Sequence, residues 1–379
     1  MNQNVPFVDL RPLHDSIAAD ISTAIERVRQ NSFYILGEEC ERFEEEFAAY
    51  HEIRHAIGVG NGFDALALAV RGLGLGPGDE VIVCAHSFVA SVSAIVLSGA
   101  TPVFVDSLPH SLTIDPEKLA SAITPRTRAI MIVHLYGLLN PMEDVLALAA
   151  KHNLFVIEDV AQAHGASLHG QKAGTFGTVG CFSFYPTKNL GALGDGGAII
   201  TRDDRLEERL RLLRNYGSSQ KYQHDIVGVN SRLDELQASI LRAKLPYLDA
   251  WNSERRQFAE KYFRELEGLV HLPSRSRTNG DGNDHVHHLF VIQTSDRDGT
   301  RERMKLHGVE TAVHYPIPVH LQPAFASLGS KRGSFPHAEK AADELISLPL
   351  FIGITESQRE RVMSATKSCL PTNDAKGTA

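Results

Sequence analysis

The chain has 379 residues, of which 43% are hydrophobic and 22% charged, and its formal charge is −8. These values suit a globular protein with room for two domains, and the acidic balance disfavours a nucleic-acid role. No run of about eighteen apolar residues occurs, so no transmembrane helix and no membrane partner are predicted.

Met1 to Pro6 lacks the basic and apolar regions of a signal peptide, which points to a cytoplasmic protein. The four cysteines (Cys40, Cys84, Cys181, Cys369) form no C-x-x-C pair and read as reduced core thiols. From about residue 55 to 205, short apolar runs alternate with helical patterns. Residues 81–84, 102–106, 129–133, 154–157, 180–184 and 198–201 read as buried strands. Residues 63–73, 88–98 and 142–152 read as helices. This alternation predicts an α/β domain with a mostly parallel sheet, whose ligands bind beyond the carboxyl ends of the strands. Asp106, His134 and Asp159 lie at such ends. A helical pattern then runs from Arg232 to Phe263, broken near Pro246. Beyond it lie a polar loop over 274–284, a strand over 285–294, and helices over 301–307 and 339–345. A smaller α+β domain follows, dividing the chain into 1–250 and 251–379. Residues 371–379 read as a disordered tail.

Four features could carry chemistry. Gly58-Val-Gly-Asn-Gly-Phe-Asp64 leads straight into a helix, whose unpaired N–H groups suit a phosphate. It fails the dinucleotide pattern at Phe63 and is no P-loop, so it is either a phosphate cradle or a plain tight turn. Asp159 is a strand-end carboxylate that needs a donor or cationic partner. That partner could be a protonated pyridine nitrogen, or Asp159 could simply cap or pair. Lys188 sits between an aromatic strand and a glycine-rich turn. It is either a solvated loop lysine or an imine-forming amine on a rigid, partly desolvated mount. Phe88, at the start of a helix, could stack on a ring. Cradle, Phe88, Asp159, Ser183 and Lys188, in that order, match the needs of pyridoxal 5'-phosphate. The cluster Asp284-His-Val-His-His288 reads as an alternating strand rather than a metal site, because at least three ligands would have to converge. No metal is predicted.

The chain resembles the DegT/DnrJ/EryC/StrS family of pyridoxal-phosphate sugar aminotransferases from Val5 to about Leu350. The resemblance rests on Glu158-Asp-Val-Ala-Gln-Ala-His164, on Ser183-Phe-Tyr-Pro-Thr-Lys-Asn189 with Gly194-Asp-Gly-Gly197, and on Gly228-Val-Asn-Ser-Arg-Leu-Asp-Glu-Leu-Gln237. It implies the aspartate-aminotransferase fold (fold type I): a large domain with a mixed, mostly parallel seven-stranded sheet, and a smaller α+β C-terminal domain. It further implies Lys188 as the imine lysine, Asp159 on the pyridine nitrogen and Gln162 on the ring hydroxyl. Gly62, Phe63 and Ser183 would hold the phosphate, and Phe88 would stack on the ring. Asn230 would reach the neighbouring subunit's cofactor, making the protein a homodimer with shared sites. Cys84 departs from the family's usual proline and leaves the role of His86 open. Retention of Lys188 favours transamination over the dehydration run by a histidine branch. The Gly60-Asn-Gly-Phe-Asp-Ala65 form resembles the branch that aminates C3 of nucleotide-linked 3-keto-6-deoxyhexoses with L-glutamate as donor. In that branch Tyr185, His314, Tyr315 and His320 would lie near the sugar, or His314-Tyr315 is a structural strand end. Lys221 and Tyr222, in the polar loop over 217–225, either contact the nucleotide from the partner subunit or are simply solvated. A 4-keto sugar, or a cofactor-binding regulatory protein without turnover, are the alternatives.

Overall fold

A computed structural model describes residues 4–272, 274–276 and 283–371. Residues 277–282 of the predicted loop over 274–284, and 372–379 of the predicted tail over 371–379, lie outside the described residues.

Seven strands form the central sheet: β1 (His55–Val59), β2 (Glu80–Cys84), β3 (Thr101–Val105), β4 (Thr127–Val133), β5 (Phe155–Asp159), β6 (Val179–Ser183) and β7 (Gly197–Thr201). Their order is β1-β7-β6-β5-β4-β2-β3. All neighbours pair in parallel except β7, which runs antiparallel to both β1 and β6. The apolar runs read as buried strands because both faces are covered. On one face Val81, Val83, Met131 and Ile157 pack on the helix Gly62–Gly72. On the other, Ile82, Ile130, Ile132 and Val156 meet Met142, Val145 and Ala149 of the helix Met142–His152. Alternate residues thus serve opposite layers, as the pleat requires.

The long helical pattern resolves into Glu235–Lys244, a 3-10 turn Leu245–Tyr247 and Leu248–Leu266. Pro246 lacks the N–H that an unbroken helix would need. Leu248 belongs to the core of the sheet, whereas Phe258 to Leu266 belong to a second core. That second core surrounds the antiparallel pair β8 (Phe290–Gln293) and β9 (Leu345–Leu348), with the helices Arg297–Leu306 and Glu356–Cys369. Val5 joins it through a bridge to Val309, so the second core draws on both ends of the chain.

Two expectations change. The strand over 285–294 shortens to Phe290–Gln293, because His287 adopts a left-handed φ of 44° that no strand continues through. The histidines therefore precede the strand, although His285 and His287, expected on one face, do stack, their ring centroids 3.7 Å apart. Asp106 is a structural cap for the helix Pro336–Glu344, accepting from the N–H groups of His337 (3.0 Å) and Ala338 (2.9 Å).

Candidate active site

The carboxyl ends of β4 and β5 set Val133 and Asp159 in one row with Cys181, two residues before β6 ends at Ser183. A cavity of about 450 Å³ opens beyond this row. It is lined by Gly62, Phe63, Phe88, Asp159, Gln162, Ser183, Tyr185, Lys188, His314 and Tyr315, residues spread over 250 positions of sequence.

Lys188 stands on a tight turn after β6. Its N–H donates to the Tyr185 carbonyl (2.9 Å), while Ala192 and Phe184 close the loop behind it (2.8 Å). The buried Lys244 clamps the same loop, donating to the Gly191 carbonyl at 2.7 Å. Burial pulls the Lys188 amine down to about 8, against the opposing charge of Asp159. A far larger share of this amine than of an ordinary lysine is therefore neutral near physiological pH, the form that attacks a carbonyl.

Asp159 is buried at the end of β5. Its carboxylate accepts from the Ser91 hydroxyl (2.8 Å) and the Ala161 N–H (3.1 Å). Burial raises its pKa, and those two donors with Lys188 and His134 oppose the rise. Behind it, His134 bridges to Glu158 (3.0 Å) and takes the Asn140 N–H on its other nitrogen (3.2 Å). Glu158 accepts from Gly174 (2.8 Å) and Gly177 (2.6 Å), so this buried charge is fully engaged.

The helix Gly62–Gly72 begins at the cavity wall, capped by Asn61, whose side chain accepts from the Asp64 N–H at 2.8 Å. Its first residue must be glycine: a Cβ there would lie 2.4 Å from the Ser183 Cβ and 2.9 Å from its hydroxyl. Close approach sets the Ser183 hydroxyl beside the free N–H groups of the helix start. Together with the dipole they form a cradle for an anion.

Across the cavity, Gln162 accepts from the Tyr136 N–H (2.6 Å) and donates to the Tyr315 hydroxyl (3.2 Å). The Tyr315 ring lies 4.9 Å from that of Phe88, which remains 45% exposed. Tyr185 is also open, at 53%. His314 bonds to the Ser347 hydroxyl (2.8 Å), and burial lowers its pKa to about 4.

Three predicted residues lie elsewhere. His320 does not line the cavity. It is buried between Phe104 and Phe335 and bonded to Glu339 at 3.1 Å, so its place is structural and the sugar assignment is corrected. Lys221 sits at the tip of the hairpin formed by Ser218–Gln220 and Gln223–His224, its amine over the Tyr222 ring (5.3 Å). Asn230 is exposed and bridges to Asn215. His134, predicted at a ligand-facing strand end, and Asn61, within the predicted cradle, line the cavity, as do Thr187, Asp195 and His288, which the sequence had not placed there. Asn61 was legible as an N-cap before an apolar helix. His288 was not, because the kink at His287 swings it onto Asn189 (3.0 Å), beside the lysine.

Among the described residues, no helix is long and apolar enough to cross a membrane, and all four cysteines are free and buried.

Comparison with known proteins agrees with this geometry. A dTDP-3-amino-3,4,6-trideoxy-alpha-D-glucose transaminase of Streptomyces venezuelae is 48% identical over 96% of this chain and 95% of its own. A pleiotropic regulatory protein of Geobacillus stearothermophilus is 46% identical over 95% and 97%. The crystal structure of DesV from S. venezuelae, in complex with a ketimine intermediate, superposes with a TM-score of 0.94 at 48% identity, covering 97% of this chain and 98% of that one. The model of the DegT/DnrJ/EryC1/StrS aminotransferase family matches residues 15–367, and the chain belongs to that family.

Proposed function

We propose that this protein moves an amino group from L-glutamate to the C3 keto carbon of a dTDP-linked 6-deoxy-ketohexose, with pyridoxal 5'-phosphate as cofactor. The single observation that carries the reading is the half-buried Lys188 amine, which opens on the same cavity as Asp159 and the Gly62–Ser183 cradle.

The residues present fit the cofactor. The cradle beside Ser183 is closed to any side chain at position 62 and matches a phosphate. The Asp159 carboxylate is raised by burial and engaged by only two uncharged donors, which suits a cationic ring nitrogen. Gln162 suits the ring hydroxyl and Phe88 the ring face. When bound, pyridoxal phosphate supplies the electron sink through which nitrogen passes from donor to acceptor. Lys188 would carry the proton between the amino donor's α-carbon and the cofactor's imine carbon, work that needs an amine titrating near neutrality.

The substrate reading rests on the C3 position and thymidine nucleotide in the name of the S. venezuelae relative, and on the Gly60-to-Ala65 segment. Both substrates are anionic, yet Lys188 is the one lysine or arginine among the described residues lining the cavity. Lys221 and Asn230 of a partner subunit would supply the missing contacts, so the working form would be a homodimer. Free buried thiols suit a cytoplasmic setting.

Lys188→Ala should abolish glutamate turnover, and undiminished turnover in that variant would overturn the reading. A panel of 3-keto and 4-keto sugar nucleotides, with the amine located by NMR, decides the carbon. The G. stearothermophilus relative favours a second reading, a cofactor-binding regulator. Absence of both half-reactions in the wild-type protein would select it.

A further inference from the structure

Tyr136 is buried and holds a left-handed φ of 61°, just beyond the end of β4. Its two polar groups point different ways. The main-chain N–H donates to Gln162 Oε1 (2.6 Å). The side-chain hydroxyl donates to the His314 carbonyl (2.5 Å). His86 Nε2 lies 2.8 Å from the same hydroxyl. Burial drives His86 down to about 4, so its ring is neutral. Burial also raises the Tyr136 hydroxyl well above its usual value, so it keeps its proton. With that proton committed to His314, the hydroxyl oxygen accepts from His86. The polarity is therefore fixed: His86 Nε2–H to the Tyr136 oxygen, Tyr136 O–H to the His314 carbonyl.

A second path leads to the next residue. Gln162 receives the Tyr136 N–H and passes its own amide N–H to the Tyr315 hydroxyl (3.2 Å). Residues 314 and 315 are thus held from one tyrosine by two routes, one through the side chain and one through the backbone. Because the Tyr315 hydroxyl is an acceptor from Gln162, its own proton remains available to the cavity. Burial raises its pKa, so that proton is retained.

We infer that Tyr136, held by His86, is a positioning residue for the sugar-facing pair His314–Tyr315, and that it sets affinity for the acceptor rather than for the amino donor. The inference rests on the proposed transfer to a sugar nucleotide. It assigns a role to His86, and it predicts that the two routes separate experimentally. Tyr136→Phe keeps the ring and the N–H to Gln162, so the cofactor side is untouched. It removes the hydroxyl's bond to the His314 carbonyl and the bond it accepts from His86, and leaves the route through Gln162 in place.

In the holoenzyme, Tyr136→Phe should raise KM for a dTDP-linked 3-keto-6-deoxyhexose about tenfold, the usual effect of losing one buried hydrogen bond. The rate and KM of the glutamate half-reaction should stay within about twofold. Calorimetric affinity for dTDP-glucose, which has no ketone or amine to react, should weaken in parallel. His86→Leu should act in the same direction, by about two- to threefold, and serves if Tyr136→Phe does not fold. Equal damage to both half-reactions, or no change in either, would overturn the inference. Failure of the wild-type protein to aminate any sugar nucleotide would instead count against the proposed function, and the dTDP-glucose affinities would still test the positioning role.

Discussion

An amine buried beside a carboxylate titrates where the surrounding protein puts it, and Lys188 is placed at about 8, well below its ordinary value of 10.5. At pH 7 about a tenth of it is neutral, against a few parts in ten thousand for a solvated lysine. The rate at which cofactor-free protein takes up pyridoxal phosphate should therefore climb about tenfold per pH unit up to pH 8 and flatten above it. A rate that keeps rising to pH 10 would show an unperturbed amine. The sign for stability is the same. Between about 8 and 10.5 the unfolded chain binds the extra proton, so the cost of burying Lys188 fades as pH rises across that window. Gly62 makes a second test at this scale. Its missing Cβ would fall 2.4 Å from Ser183, so Gly62→Ala must push the helix start away from β6. A loss of about 1–3 kcal/mol in urea unfolding is expected, with weaker retention of cofactor on dialysis. Tight retention with unchanged stability would mean the helix start shifts freely.

At the scale of elements, one carboxylate ties the sheet to a helix far along the chain. Asp106, just past β3, caps the helix Pro336–Glu344 from a different part of the chain. Asp106→Ala should cost about 1–2 kcal/mol of stability while leaving the glutamate half-reaction intact. A change under about 0.3 kcal/mol would show that solvent caps the helix equally well. The same residue shows what was legible in the sequence. Its position at a strand end was readable from the apolar run before it, but its partner lies more than 200 residues away. Six of the seven strands could be placed because burial on both faces leaves near-continuous apolar runs. β1 was not among them, since Gly58 dilutes its apolar run. The amphipathic helices Ala18–Asn31, Glu38–Tyr50 and Asp204–Arg214 were passed over, being rich in charge and lying outside the strand–helix rhythm. Within the site, Asp159, Ser183 and Lys188 were readable because they follow recognisable strands. His288 and Tyr136 were not, because each depends on a backbone turn into the left-handed region that periodicity does not signal.

At the scale of the whole molecule, the cavity is short of positive charge for the substrates proposed, and Lys221 and Asn230 lie outside it, on the hairpin 218–224 and on the bridge to Asn215 just before it. Asn230 and Lys221 are exposed, and beside them Tyr222 is 87% and Val227 85% exposed. Exposed apolar residues flanking a polar hairpin suit contact with a second copy of the chain. If Asn230 acts on the partner's site, inactivation at the two positions must be separable by subunit. Lys188→Ala destroys the site of its own protomer, whereas Asn230→Ala weakens the site of the other. In a hybrid dimer of the two, one site carries both lesions and the other carries neither. Random reassortment of equal amounts makes half the dimers hybrids, so mixing two impaired proteins should restore about a quarter of wild-type activity. Separate tags and tandem purification should raise the pure hybrid to about half. If Asn230 instead served its own protomer, each hybrid site would carry one lesion, and mixing would restore nothing beyond the average of the two parents. Sedimentation of each variant as a dimer is the accompanying control, since a monomer would leave Asn230 with no partner site to reach.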